Sequence, residues 1–161
     1  MSAPRLNRVV GNFKAEATRG KTIRLKELRG ENVVIYFYPK DNTSGCTLEG
    51  QDFRDRINKF RRRKTVILGI SRDSIRSHEN FKAKQEFPFE LLSDADEKVC
   101  KLFDVIREKN MYGRKVMGIE RSTFLLDAKG VLRREWRKVK VKGHVDEVLE
   151  AISELWGRIH L

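Results

Sequence analysis

Val33-Val34-Ile35-Tyr36-Phe37-Tyr38 is the longest apolar run in the chain, and it constrains the fold more than any other segment. β-branched and aromatic residues without polar alternation are the signature of a strand buried on both faces. Such a strand needs a covering layer on each side. The chain has 161 residues, enough for one domain over 1–161 that buries roughly 70% of the surface its unfolded form exposes. The run is far short of the ~20 residues of a membrane span, and no hydrophobic signal core precedes it between Met1 and Gly11. That opening is basic, so a transit peptide is conceivable. It is read as an ordinary soluble N-terminus, with the cytoplasm as the default compartment and both thiols reduced there.

Around this strand the pattern alternates. Asn12–Thr18 and Thr22–Leu25 flank Arg19-Gly20-Lys21, which predicts a short hairpin. Ser44–Arg63 predicts a helix whose buried face carries Leu48, Phe53, Ile57 and Phe60. Thr65–Ile70 is a second buried strand, Ser74–Gln85 a helix, and Phe89–Leu92 a third strand. Asp96–Phe103 is a short helix capped by Asp94 or Asp96. Ser122–Leu126 and Val131–Val139 bracket the turn Asp127-Ala128-Lys129-Gly130, and His144–Trp156 closes as an amphipathic helix. This order predicts an α/β fold with a mixed sheet flanked by helices, parallel at the crossovers and antiparallel at the last hairpin.

The chemistry concentrates just past the buried strand. There the chain reads Tyr38-Pro-Lys-Asp-Asn-Thr-Ser-Gly-Cys-Thr-Leu-Glu49, which places Cys46 in the opening turn of a helix. A free thiol of pKa ~8.5 is only about 3% ionised at pH 7. Unpaired N–H groups and the positive helix end favour an anion, so a thiol in that turn gains thiolate character. A reactive thiol is not yet a fast enzyme; donors must also meet the charge that develops in the transition state. Taken alone, Cys46 reads as a small buried core residue. Thr43 reads as a cap, Pro39 as a strand terminator, Glu49 as a first-turn acid and Arg121 as a surface residue.

Together the residues read differently. Pro39-x-x-x-Thr43-x-x-Cys46 resembles the active-site motif of the peroxiredoxins, and the longer string resembles their bacterioferritin comigratory protein/PrxQ class. Gly118-Ile-Glu-Arg121-Ser-Thr-Phe-Leu-Leu-Asp127 is similar to the segment that supplies that family's active-site arginine, and Phe89-Glu-Leu-Leu-Ser-Asp94 fits the class as well. The resemblance implies a thioredoxin-like fold with an N-terminal β-hairpin and thiol-dependent reduction of hydroperoxides. Cys46 would be the nucleophile and become a sulfenic acid. Thr43 would hydrogen-bond the thiolate and orient the peroxide. Arg121 would stabilise the thiolate and the leaving oxygen, and Pro39 would shield the pocket. Backbone N–H groups near Gly45 and Cys46 would complete the pocket, with Glu49 behind them.

The pattern breaks at the second cysteine. Many members of the class carry a resolving cysteine five residues after the first, where this chain has Gln51, or on the next helix, where it has none. The remaining cysteine, Cys100, fits three readings: a structural thiol, an internal resolver reached by local unfolding, or a partner in an intermolecular disulfide. The first is adopted, making the enzyme a one-cysteine type recycled by thioredoxin or another thiol and working as a monomer. Cys46, Cys100, His78, His144 and His160 show no zinc-like spacing, and no cofactor motif is visible.

A net charge of +12, from 35 Lys+Arg against 23 Asp+Glu, admits acidic partners. The clusters Arg61–Lys64 and Arg133–Lys142 are read as solvated faces. A basic nucleic-acid-binding module, or a thiol redox sensor, stands as the alternative.

Overall fold

The computed structural model describes residues 3–160, and the side chains of residues 3–158; that of His160 lies outside them. The predicted hairpin is present as β1 (Lys14–Ala17) and β2 (Thr22–Arg24), followed by a 3-10 turn over Leu25–Leu28. The apolar run forms β3 (Asn32–Phe37). Next come α1 (Ser44–Asp55), α2 (Ile57–Arg61), β4 (Thr65–Ser71), α3 (Ile75–Gln85), β5 (Glu90–Ser93) and α4 (Lys98–Leu102). The chain ends with β6 (Ile106–Met111), β7 (Arg114–Ile119), β8 (Ser122–Leu126), β9 (Leu132–Trp136) and α5 (His144–His160).

Seven strands form one mixed sheet in the order β2-β1-β5-β4-β3-β8-β9. β3 and β4 pair in parallel, as do β4 and β5, while β8 and β9 add antiparallel strands. Side chains alternate across β3, so it belongs to two cores. Val33, Ile35 and Phe37 face a core with Phe103, Phe124 and the N-terminal hairpin. Val34, Tyr36 and Tyr38 face a core built with α1, α2, α3 and α5. Phe37 lies 5.2 Å from Phe103 and 5.7 Å from Phe124 by ring centroids. Each fully buried side chain of this kind contributes about 1.5–3 kcal/mol.

Two expectations need correction, and one element was not expected. The helix expected over Ser44–Arg63 breaks at Arg56 (φ −109°, ψ 9°). No Gly or Pro marks the break, and Arg56 is held from outside, its Nε 2.6 Å from Asp146 Oδ1 on α5. Leu48, expected on the buried face, is 47% exposed. The buried stripe runs through Cys46, Glu49, Gly50 and Phe53, and about 100° of rotation per residue turns Leu48 off it. Finally, β6 and β7 form a separate two-stranded ribbon that the pattern gave no sign of. It is largely exposed, so no apolar alternation betrays it. Its turn is legible only in Tyr112-Gly113, both with positive φ (53° and 78°).

Candidate active site

β3 ends at Phe37, Pro39 makes a half-buried bend, and α1 begins at Ser44 with Thr43 as its N-cap. The first intrahelical bond runs from the Thr47 N–H to the Thr43 carbonyl, 2.9 Å. The N–H groups of Ser44, Gly45 and Cys46 therefore lie in the turn that a helix leaves without intrahelical acceptors. Cys46 projects from this turn toward the sheet and is 2% exposed.

Arg121 reaches the same point from the opposite side of the sequence. It sits between β7 and β8, with its carbonyl accepting from Val139 N–H at 3.0 Å. Its guanidinium is shared: Nη1 donates to Glu49 Oε1 at 2.6 Å and Nη2 to Cys46 Sγ at 3.4 Å. Gly45 leaves room for the approach: a Cβ there would stand 3.1 Å from Arg121 Nη2, tighter than side chains ordinarily pack.

Glu49 is fully buried, and its Oε2 has no hydrogen-bond partner. Burial pushes its carboxyl up to about 7, against the downward pull of Arg121. For Arg121, burial works to lower the pKa, but Glu49 and Cys46 win and raise it. Close by, burial and then Arg121 push His144 down to about 4. Its Nε2 lies 2.8 Å from Thr123 Oγ1 on β8.

The structure thus brings Cys46, Arg121, Glu49 and Gly45 together. Thr43 stands at the mouth, exposed, and its hydroxyl donates to the Lys40 carbonyl at 2.8 Å rather than to the sulfur. The oxygen's lone pairs remain available to an incoming donor. Cys100 is not part of the assembly. It lies in the core on the other face of the sheet, fully buried. Burial, then Asp94, push its thiol well above the ordinary range.

Sequence reasoning missed the clamp beneath the active-site loop. Tyr38 donates its hydroxyl to Asp41 Oδ1 at 2.7 Å, and Ser77 donates to Asp41 Oδ2 at 2.8 Å. His78 Nδ1 lies 2.7 Å from Asp41 Oδ2, and its Nε2 lies 2.9 Å from the Leu92 carbonyl. A carbonyl can only accept, so Nε2 carries a proton. Asp41 N–H donates to Asp73 Oδ2 at 2.9 Å. Oxygen and nitrogen atoms of Asp41, Asp73 and His78 lie within 4.8 Å of one another, a spacing a cation would accept. Each is already engaged by a protein partner, so the cluster serves to fix the loop between β3 and α1. Its one sequence trace is Asp41 itself, inside the motif.

The chain is similar to known proteins over most of its length. Residues 6–135 match the AhpC/TSA family. Peroxiredoxin Bcp of Xanthomonas campestris pv. campestris is 56% identical over 134 residues, 83% of this chain and 84% of that protein. Peroxiredoxin Bcp of Bacillus subtilis is 46% identical over 144 residues, covering 89% and 92%. Among solved structures, the bacterioferritin comigratory protein of X. campestris superposes with a TM-score of 0.86 at 51% identity, covering 89% of this chain and 92% of that one. That work concerns its alkyl peroxide reduction activity. A cysteine-to-serine mutant of Xylella fastidiosa PrxQ gives 0.90 at 40% identity, covering 96% and 98%. The chain belongs to the AhpC/TSA family, and within it to the Bcp/PrxQ peroxiredoxins, thiol peroxidases on a thioredoxin-like fold.

Proposed function

We propose that this peroxidase works through Cys46 as its one reacting cysteine and reduces hydrogen peroxide and organic hydroperoxides. The Cys46 thiolate attacks one peroxide oxygen; the S–O bond forms as the O–O bond breaks. Cys46 becomes a sulfenic acid, and the departing oxygen takes up a proton to leave as water or an alcohol.

The observation that carries this reading is the 3.4 Å contact from Arg121 Nη2 to Cys46 Sγ, with the other arm of the guanidinium fixed on Glu49. A donor held there meets charge both on the sulfur and on the leaving oxygen. One such preorganised donor is worth about 10²–10³ in rate. Thr43 would receive the peroxide's hydrogen, the N–H groups at Gly45 and Cys46 would add donors, and Pro39 would shield the pocket. Glu49 acts through Arg121 as a positioning residue.

Recycling falls to an external thiol, thioredoxin or another, because Cys100 faces the opposite core. Among the described residues no helix is long and apolar enough to cross a membrane. We assign the enzyme to the cytoplasm, as a monomer. The test is hydroperoxide consumption with a thiol system supplied: Cys46→Ser should abolish it, and activity surviving that change would sink the proposal.

A further inference from the structure

Thr43 has one hydroxyl hydrogen, and the Lys40 carbonyl takes it at 2.8 Å. Toward a substrate the oxygen can then only accept. A hydroxyl free to rotate would offer its hydrogen outward as often as its lone pairs, so the acceptor role depends on how firmly that carbonyl is held. Lys40 is exposed and belongs to no helix or strand. Its carbonyl is fixed from elsewhere.

The Lys40 carbonyl and the Asp41 N–H belong to one planar trans peptide group and point in opposite directions. The N–H donates to Asp73 Oδ2 at 2.9 Å. One side of this peptide carries the Thr43 hydroxyl, and the other is anchored on Asp73. The group does not twist about its C–N bond, so a carboxylate that holds the N–H also sets the direction of the carbonyl. It polarises the carbonyl as well, making it a better acceptor for Thr43.

Asp73 is itself well held. It lies in the turn between β4 and α3. Its Oδ2 also accepts from the Ser71 hydroxyl at 2.6 Å, its N–H donates to Ser71 Oγ at 3.2 Å, and its carbonyl accepts from Ser93 Oγ at 2.6 Å. Ser71 and Ser93 are paired residues at the ends of β4 and β5, so the anchor is the sheet. Between Asp41 and Thr43, Asn42 takes a left-handed φ of 62°, one of the few non-glycine types that does so readily. The Asp41 carboxylate is occupied separately by Tyr38, Ser77 and His78.

The geometry points to Asp73 as a positioning residue of the peroxide step, acting through the Lys40–Asp41 peptide to hold the Thr43 hydroxyl as an acceptor for the hydroperoxide O–H. This rests on Thr43 receiving the peroxide's hydrogen, as proposed above. Asp73 acts through another group, so its removal matters only while Thr43 is there to be oriented.

A double-mutant cycle on the rate constant of Cys46 with hydrogen peroxide tests this. Asp73→Ala should slow the otherwise wild-type protein about ten-fold, the effect of one lost hydrogen bond. In Thr43→Val, already slow, it should change the rate by less than about two-fold. Asp73→Asn keeps an acceptor for the Asp41 N–H without the charge and should cost about three-fold; it carries the same cycle if the alanine variant fails to fold. Methyl methanethiosulfonate gives a second readout. The Cys46 thiolate attacks it too, but it brings no O–H to Thr43, so its rate should be unchanged by the Asp73 substitutions. No loss in the folded Asp73 variant, the same fractional loss in the Thr43→Val background, or an equal fall with both reagents would overturn the inference and leave the role of Thr43 standing. Thr43→Val as fast as wild type would overturn both.

Discussion

Cys46 and Cys100 stand on opposite faces of the central sheet. Cys46 packs with Tyr36 and Phe53, and Cys100 packs with Phe37 and Phe103. A disulfide needs Cα atoms within about 7 Å. Here β3, hydrogen-bonded on both edges, lies between the two thiols.

Cys100→Ala should therefore leave peroxide turnover with an external thiol unchanged. Its stability cost should be about 1 kcal/mol, as for an ordinary small core truncation. Steady-state peroxide consumption and urea unfolding of the variant check the two parts. Loss of turnover would make Cys100 a resolver.

Arg121→Met should lower the rate of peroxide reaction about 10²–10³-fold, the effect of removing one preorganised donor. Breaking a buried ion pair ordinarily costs about 3–5 kcal/mol, because a charge is stranded. The Glu49 carboxyl already sits at about 7, so it can take up a proton instead, and the variant should lose less stability than that. Stopped-flow rates and unfolding curves at pH 6 separate the two effects.

Glu49 gives the fold a pH dependence of unusual sign. Its folded pKa is raised from 4.5 to about 7, so between those values the folded protein holds a proton that the unfolded chain has released. Its contribution is fully present below about pH 4.5 and is lost as pH rises through about 7. Across that rise from 4.5 to about 7, the loss is about 3 kcal/mol at most. Unfolding free energies of wild type and Glu49→Gln, compared from pH 4 to 8, should diverge across that window. A difference flat in pH would contradict the assignment.

Gly45→Ala should move activity and stability in opposite directions. The new Cβ, 3.1 Å from Arg121 Nη2, requires the guanidinium to give by a few tenths of an ångström, which disturbs its 3.4 Å contact with the sulfur. Alanine is also the better helix former by up to about 1 kcal/mol. The rate should fall while the unfolding midpoint holds or rises.

Much of the fold was legible because its signals are local. The apolar run of β3, the hairpin turns and the helix expected from Ser74, where α3 starts one residue later, all announce themselves within a few residues. What stayed hidden is set by contacts distant in sequence. Glu49 and Arg121 meet across 72 residues, and the break at Arg56 coincides with an ion pair to α5. The β6–β7 ribbon has too little buried surface to impose a pattern. Asp41 was in plain view inside the motif, but its role depends on His78, 37 residues away.

The most direct test is mass mapping of the protein after brief treatment with hydrogen peroxide, in the presence of a sulfenic-acid trap. The account predicts the trap on Cys46, a reduced Cys100 and no link between them. A Cys46–Cys100 disulfide as the main product would contradict it.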